Sequence, residues 1–66
     1  MSQTARLVLA DDHAVLRAGL RAFFEEQREP RLQVVAEADS AEAALEAVQR
    51  TLPDLLVLDL GMPGLG

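Results

Sequence analysis

The sequence predicts an α/β fold with a parallel sheet, in the order βαβαβ. Three short apolar runs, at positions 7–10, 32–36 and 55–58, have the length and composition of buried strands. The two longer segments between them repeat apolar residues at helical spacing. Strands that alternate with helices indicate parallel pairing through right-handed crossover connections.

The first strand and helix are marked by an abrupt change of pattern. The run Leu7–Ala10 stops at Asp11 and Asp12, as a strand buried on both faces would. A helix then follows from His13 to about Gln27, with Asp12 as its predicted N-cap. Its predicted buried face carries Leu16, Gly19, Leu20, Phe23 and Phe24. Its predicted solvent face carries Arg17, Arg21, Glu25 and Arg28.

The second half of the chain repeats this arrangement. The run 32–36 is more mixed and is predicted to be an edge strand, and the segment from Asp39 to Glu42 resembles a capping box. The helix behind it ends before Pro53, and its predicted buried residues are Ala41, Ala44, Leu45, Val48 and Leu52. The run 55–58 is the most apolar strand and leads directly into Asp59, followed by a predicted turn over 61–64.

Length and composition restrict the classes of protein that fit. A chain of 66 residues forms at most one small domain, and a net charge of −5 argues against binding nucleic acid or an anionic membrane. The chain has no cysteine for disulfides or thiolate metal sites. Positions 1–6 contain no apolar signal-peptide core, and no apolar run could span a bilayer. We therefore expect an acidic protein of the cytoplasm.

The residues with the clearest chemical potential are three aspartates at predicted strand ends. Asp11 and Asp12 follow the first strand and Asp59 follows the third, and functional groups collect at this edge of a parallel sheet. If the two strands are neighbours, the three carboxylates share one pocket and repel one another. A hard divalent cation such as Mg²⁺ relieves that repulsion. A carboxylate beside Mg²⁺ can attack phosphorus and form an aspartyl phosphate.

Taken singly, these residues have ordinary explanations. An Asp pair after a strand is usually a turn or a helix cap, and Asp59 alone is a common turn residue. His13 is interpreted as a residue of the first helical turn with no ligand role, because no partner for it is evident in the sequence. The combination of acidic residues after strands one and three is what favours a site.

Two segments resemble a known family. Residues 8–13 (VLADDH) with 15–20 (VLRAGL) resemble the opening of receiver domains in LuxR-type response regulators of two-component systems. Residues 53–64 (PDLLVLDLGMPG) resemble the segment around the phosphorylated aspartate of that family. The resemblance implies a flavodoxin-like doubly wound fold with partial strand order 2-1-3. It also implies that residues 1–66 are one truncated receiver domain, about its N-terminal half.

The same resemblance implies a site and partners. Asp59 is expected to accept a phosphoryl group from a histidine kinase. Mg²⁺ is expected to be bound by Asp12 directly, by Asp11 largely through water, by Asp59 and by the backbone carbonyl of Gly61. A DNA-binding output domain is expected in the parent protein. The chain is expected to be a signalling module and not an enzyme, with no catalytic residue beyond Asp59.

Two expectations follow from the family residues that positions 1–66 do not contain. The family uses a Ser or Thr after its fourth strand and a Lys after its fifth, and this sequence has no lysine. We therefore expect the 66 residues to bind metal but to lack efficient phosphorylation and switching. The strand at 55–60 is expected to be an exposed apolar edge through which the chain self-associates or remains partly molten.

Other functions are weighed against this one. A half-domain that binds a partner or itself without phosphorylation is the main alternative. A haloacid-dehalogenase-type phosphatase needs a second Asp where this chain has Gly61. No G-x-G-x-x-G follows the first strand, which argues against dinucleotide binding. A single His and no Cys leave no Ser-His-Asp or Cys-His arrangement.

Overall fold

The computed structural model describes residues 3–64, so the first two and last two positions of the predicted 1–66 unit lie outside it. The predicted order of elements is confirmed. The strands and helices are β1 (Thr4–Ala10), α1 (Ala14–Glu25), β2 (Arg31–Ala38), α2 (Ala41–Thr51) and β3 (Leu55–Leu58). The two N-terminal strands are longer than the apolar runs that predicted them, because backbone pairing extends into polar flanking residues.

The three strands form one parallel sheet in the order β2-β1-β3, as the resemblance implied. Strand β1 is central, and its residues Leu7–Ala10 pair with Leu55–Leu58 of β3. Those four residues of β1 are at most 1% exposed, which agrees with a strand covered on both faces. The third strand therefore ends beside the first, which places Asp59 next to Asp11 and Asp12.

A bulge in β2 changes which face its last residues occupy. Leu7 pairs with Val34 and Val8 pairs with Ala36, so Val35 is an extra residue. One extra residue reverses the alternation of side chains beyond it. As a result, Val34 and Glu37 both lie on the side of the sheet that faces α1, although they are three positions apart.

The core has two layers, one on each face of the sheet. On the α1 side, Leu7, Leu9 and Val34 pack together, with Leu20 and Phe24 of the helix partly covering them. On the α2 side, one cluster of buried residues consists of three alanines and a methionine, which are Ala10, Ala38, Ala44 and Met62. Both layers lie over β1 and β2, and β3 contributes only its partly buried residues Val57 and Leu58.

The predicted buried face of α1 is wrong in part. Every residue of α1 lies in the described part of the chain and none is buried; Leu16 is 51% exposed and Phe23 58%. The helix lies over β2 and β1, and Arg17 and Arg21 on its predicted solvent face both pair with Glu37 of β2. Of its apolar face, Leu20 and Phe24 partly cover the core, and Leu16 and Leu20 line an open groove beside β3. Helical periodicity identifies an apolar face but not which neighbour covers it.

The start of α2 is confirmed, but its cap differs from the predicted capping box. The side-chain oxygen of Ser40 accepts a hydrogen bond from the backbone N–H of Ala43, at 3.1 Å. Ser40 is therefore the N-cap, and the residue three positions later is Ala43, whose methyl side chain cannot accept a hydrogen bond in return. Such a cap is worth about 1 kcal/mol.

The buried face of α2 is also narrower than predicted. Ala44 and Ala47 are buried, whereas Leu45 and Leu52 are largely exposed. Leu52 is the C-cap residue and adopts the left-handed conformation, with φ 49°, so its side chain leaves the helical face. The guanidinium of Arg6 donates to the carbonyls of Thr51 and Leu52, satisfying backbone acceptors at the helix end.

Candidate functional site

Three carboxylates and one imidazole meet at the carboxyl-terminal edge of the sheet. Asp11, Asp12, His13 and Asp59 each contribute a ligand atom, and these atoms all lie within 4.8 Å of one another. The first three residues form the loop between β1 and α1, and Asp59 directly follows β3. The predicted convergence of the three aspartates is thus present, and it arises because β1 and β3 are adjacent and parallel.

Asp59 is held by backbone hydrogen bonds on both sides. Its N–H donates to the carbonyl of Ala10 at 3.0 Å, which extends the β1–β3 ladder by one residue. Its Oδ1 accepts from the N–H of Gly61 at 2.9 Å, and its carbonyl accepts from the N–H of Met62. Because Met62 is buried in the α2-side core, the loop after Asp59 is anchored to the sheet.

The turn that follows Asp59 requires a glycine. Gly64 has φ +92°, a conformation that L side chains rarely adopt, and a Cβ there would lie 3.2 Å from Cβ of Ala41. The predicted turn over 61–64 is present in this part of the chain. Gly61 is placed with its N–H toward the Asp59 carboxylate, and the metal-binding role expected for its carbonyl stays a prediction.

Asp11 is the buried member of the cluster. Its Oδ1 accepts a hydrogen bond from the backbone N–H of His13 at 2.7 Å and lies 2.9 Å from the His13 ring nitrogen Nδ1. The backbone hydrogen bond from His13 lowers the pKa of the Asp11 carboxyl, and burial opposes that effect. Asp11 is therefore a fixed anion with one oxygen already engaged.

His13, not Asp12, is the N-cap residue of α1, so the predicted cap is wrong. The His13 side chain makes no capping bond and instead lies among the carboxylates. Its Nδ1 is 3.2 Å from Oδ1 of Asp12 and 3.6 Å from Oδ2 of Asp59. The hydrogen bond to Asp11 and the neighbouring negative charges raise the pKa of the His13 imidazole. The sequence feature that could have indicated this role is the position of His13 directly after Asp11 and Asp12.

Arg17 is a second residue that the sequence did not assign to the site. Its Nη1 donates to the backbone carbonyl of Asp11 at 2.6 Å, and its Nε donates to Glu37 at 2.8 Å. The guanidinium thereby ties the loop that carries the aspartates to β2. Arg21 also donates to Glu37, and this bond is the main reason that the pKa of the Glu37 carboxyl is lowered.

The donor atoms of the cluster fit a hard divalent cation. Three carboxylates supply oxygen ligands, and the side chains of Asp12 and Asp59 are about one-third exposed, which leaves room for metal-bound water. Without a cation, His13 is the only member of the cluster among residues 3–64 whose side chain can carry a positive charge. The arrangement can concentrate a cation and a phosphate beside a fixed carboxylate.

Comparison with known proteins identifies the family. The sequence pattern of the response regulator receiver domain matches residues 7–66, which is nearly the whole chain. The chain belongs to the response regulator receiver family. The fold agrees, because the signal receiver domain of the response regulator NarL from Mycobacterium tuberculosis superposes with a TM-score of 0.85 and 39% identity. A LuxR-family response regulator from Aurantimonas superposes with a TM-score of 0.83 and 44% identity.

The curated relatives include response regulators and transcriptional regulatory proteins. The chain is 47% identical over 58 residues to the transcriptional regulatory protein YhcZ of Bacillus subtilis, covering 88% of this chain. It is 38% identical over 63 residues to the nitrate/nitrite response regulator NarL of Escherichia coli, covering 96% of this chain. The receiver chain is thus of the NarL/LuxR type.

The chain spans only part of each relative. It covers 26% and 28% of the two curated regulators, and 48% and 44% of the two solved chains. Neither helix in residues 3–64 has the length and apolarity that crossing a membrane requires.

Proposed function

We propose that this receiver chain takes a phosphoryl group on Asp59, with Mg²⁺ bound beside it. The observation that carries the proposal is the meeting of Asp11, Asp12 and Asp59 at one edge of the sheet. An Asp59 oxygen attacks the phosphorus of a phosphohistidine in a histidine kinase. The P–N bond breaks, a P–O bond forms, and the histidine nitrogen recovers a proton. The product is an acyl phosphate on Asp59.

The roles of the other residues follow from their surroundings. Asp12 is partly exposed and supplies a direct metal ligand, while Asp11, whose Oδ1 is engaged by His13, acts mainly through water. Asp59 and the carbonyl of Gly61 complete the protein ligands. When bound, Mg²⁺ neutralises the carboxylates and the charge on the transferring phosphoryl group. The chain's own contribution is to hold the attacking oxygen at a rigid strand end.

We also propose that the chain corresponds to the N-terminal half of a receiver domain in a cytoplasmic regulator with a DNA-binding output domain. Its coverage of just under half of each solved chain supports this. The Ser or Thr and the Lys that the family places on later strands belong to the other half. Efficient phosphorylation and switching therefore require the complete receiver domain, whereas cation binding requires only the residues described here.

Acetyl phosphate and Mg²⁺ test the phosphorylation. Incubation of the complete receiver domain that contains this chain should add the mass of one phosphoryl group, with acetate as the leaving group, and alkali should remove it. Asp59→Asn should abolish the mass gain. Asp54→Asn is a matched control, because Asp54 directly precedes β3 and so lies at the opposite end of the strand from Asp59. A mass gain that survives Asp59→Asn would overturn the assignment.

Magnesium binding is tested on the chain itself by calorimetric titration. Asp12→Asn and Asp59→Asn should each weaken Mg²⁺ binding by at least about tenfold, because each removes a charged ligand. Asp54→Asn should leave the affinity unchanged. Equal affinity in all the variants would show that the cluster is not the cation site.

A second function, self-association, is favoured by the exposure of β3. The strand pairs only with β1 among residues 3–64, so its other edge is unpaired in this part of the chain. Leu55 and Leu56 are nearly half exposed, and an unpaired apolar edge is a template for another strand. We propose that a second copy of the chain pairs along 55–60 when nothing else covers this edge.

A further inference from the structure

We propose that His13 is a nitrogen ligand of the cation site and that it makes the site prefer first-row transition ions over Mg²⁺. The inference rests on the proposed function, because it concerns the same cluster of carboxylates. It adds a donor that the proposed function does not assign, which is the imidazole nitrogen of His13. The chemical class of ligand is a divalent ion that accepts mixed nitrogen and oxygen donors, such as Ni²⁺, Co²⁺ or Mn²⁺.

The distances between the donor atoms can be compared with those around an octahedral ion. Two ligands at about 2.1 Å from an octahedral ion, and at right angles, lie about 3.0 Å apart. Nδ1 of His13 is 2.9 Å from Oδ1 of Asp11 and 3.2 Å from Oδ1 of Asp12. The imidazole nitrogen therefore lies close to the distance of an adjacent ligand from Oδ1 of Asp12, which is a direct ligand in the proposed site. Its 2.9 Å contact with Oδ1 of Asp11 is a hydrogen bond, which an ion bound to Nδ1 would replace. Its 3.6 Å distance from Oδ2 of Asp59 is between the spacings of adjacent and opposite ligands.

The local backbone holds the His13 ring within the cluster. The backbone N–H of His13 donates to Oδ1 of Asp11 at 2.7 Å, which holds the Cα of His13 beside that carboxylate. Arg17 donates to the carbonyl of Asp11 and holds the same loop from the other side. The imidazole is two-thirds exposed, so it needs no repacking to adjust to an ion.

The chemistry of the donor atoms favours a transition ion once the imidazole is included. A site of carboxylate and carbonyl oxygens suits Mg²⁺, whereas imidazole suits later first-row transition ions. Adding one nitrogen donor to three carboxylates raises affinity along the series from Mn²⁺ to Ni²⁺ more than it raises affinity for Mg²⁺. His13 is thus a specificity-determining residue, and Asp12 and Asp59 provide binding to either class of ion.

Substitutions of His13 separate its role from folding. Because the His13 side chain makes no capping bond to α1, its replacement removes no hydrogen bond from the helix start. His13→Ala removes the donor, and His13→Asn replaces nitrogen with an amide oxygen at nearly the same reach. Val15→Ala is the matched control, since Val15 is the second residue of α1 and is almost fully exposed outside the cluster.

The experiment titrates the chain with Ni²⁺ and with Mg²⁺ by calorimetry at one fixed pH. His13→Ala should weaken Ni²⁺ binding by at least about tenfold, the scale on which loss of even an outer-shell partner weakens a metal site. Mg²⁺ binding should change by less than about threefold in the same variant, because Mg²⁺ gains little from imidazole. His13→Asn should resemble His13→Ala for Ni²⁺, and Val15→Ala should resemble the wild type for both ions.

A spectroscopic measurement detects the nitrogen directly. Pulsed electron paramagnetic resonance of bound Mn²⁺ should show coupling to an imidazole nitrogen in the wild type and in Val15→Ala, but not in His13→Ala. A ratio of Ni²⁺ to Mg²⁺ affinity that His13→Ala leaves unchanged, with no nitrogen coupling, would overturn the inference while leaving the aspartate site intact. If neither ion binds in a manner that depends on Asp59, the metal part of the proposed function fails as well.

Discussion

Strands β1 and β3 are similar in sequence and different in surroundings. Each ends in four apolar residues followed by Asp, yet Leu7–Ala10 are at most 1% exposed while Leu55 and Leu56 are 48% and 44% exposed. Strand β1 has a paired strand on either side, and both helices lie over β1 and β2. An apolar run thus shows that a segment can be a buried strand, and its neighbours determine whether it is buried.

The same difference separates the two aspartates that follow these strands. Asp11 follows the covered strand and is buried, with its carboxylate and carbonyl both engaged. Asp59 follows the open strand, and its side chain retains more contact with solvent. This difference in exposure agrees with the proposed function. Asp59, as the phosphoacceptor, has to be reached by a large donor protein, whereas Asp11 does not.

The largest effect is expected from shortening a side chain in the covered strand. Leu9→Ala removes a fully buried side chain and should lower the free energy of unfolding by about 2–5 kcal/mol. Leu55→Ala, in the open strand, is the matched control and should cost less than half as much. Urea denaturation followed by circular dichroism measures both. Equal losses would mean that β3 is as well covered in solution as β1.

A change in association is expected from placing a charge on the open strand. Leu56→Lys should shift the chain toward monomer, because a lysine on an edge strand disfavours pairing with another strand. The aliphatic part of the lysine can still lie along α2, so the cost to folding should be smaller than for Leu9→Ala. Sedimentation velocity over a range of concentrations measures the shift. Gln49→Lys, at an exposed position of α2 outside the groove that Leu56 lines, is the control and should leave association unchanged.

The smallest effect is expected from the ion pairs that tie α1 to the covered half of the sheet. Arg21, and secondarily Arg17, hold the pKa of the Glu37 carboxyl below its usual value. A carboxyl with a lowered folded-state pKa stabilises the fold above its unfolded pKa, and this contribution is lost as pH falls through the folded pKa. Glu37→Gln should therefore lower stability by up to about 1 kcal/mol at neutral pH, since the pair is partly exposed.

The pH dependence provides the check on this last prediction. The difference between the wild type and Glu37→Gln should shrink as the solution is acidified below the usual pKa of glutamate. Glu46→Gln is the control, because Glu46 pairs with Arg50 on an exposed helical face. A difference at Glu37 that stays constant in acid would indicate that packing, and not charge, is the source of the loss.

The sequence alone determined the order of the elements and the residues at their ends. Apolar runs and helical spacing are local properties, so all five elements and the turn after Asp59 could be predicted from them. The positions of the three aspartates at strand ends were equally local. That β1 lies between β2 and β3 followed from the family resemblance, and the convergence of the aspartates followed from that strand order.

Only the tertiary structure decided how those elements face one another. The bulge at Val35 turns Glu37 toward α1, where Arg17 and Arg21 pair with it. Leu16 of the same helix lines an open groove beside β3 instead of the core. The place of His13 among the carboxylates depends on the adjacency of two strand ends that are far apart in sequence. A pattern of residues records each element's own preferences, whereas burial and ligand geometry depend on distances between elements.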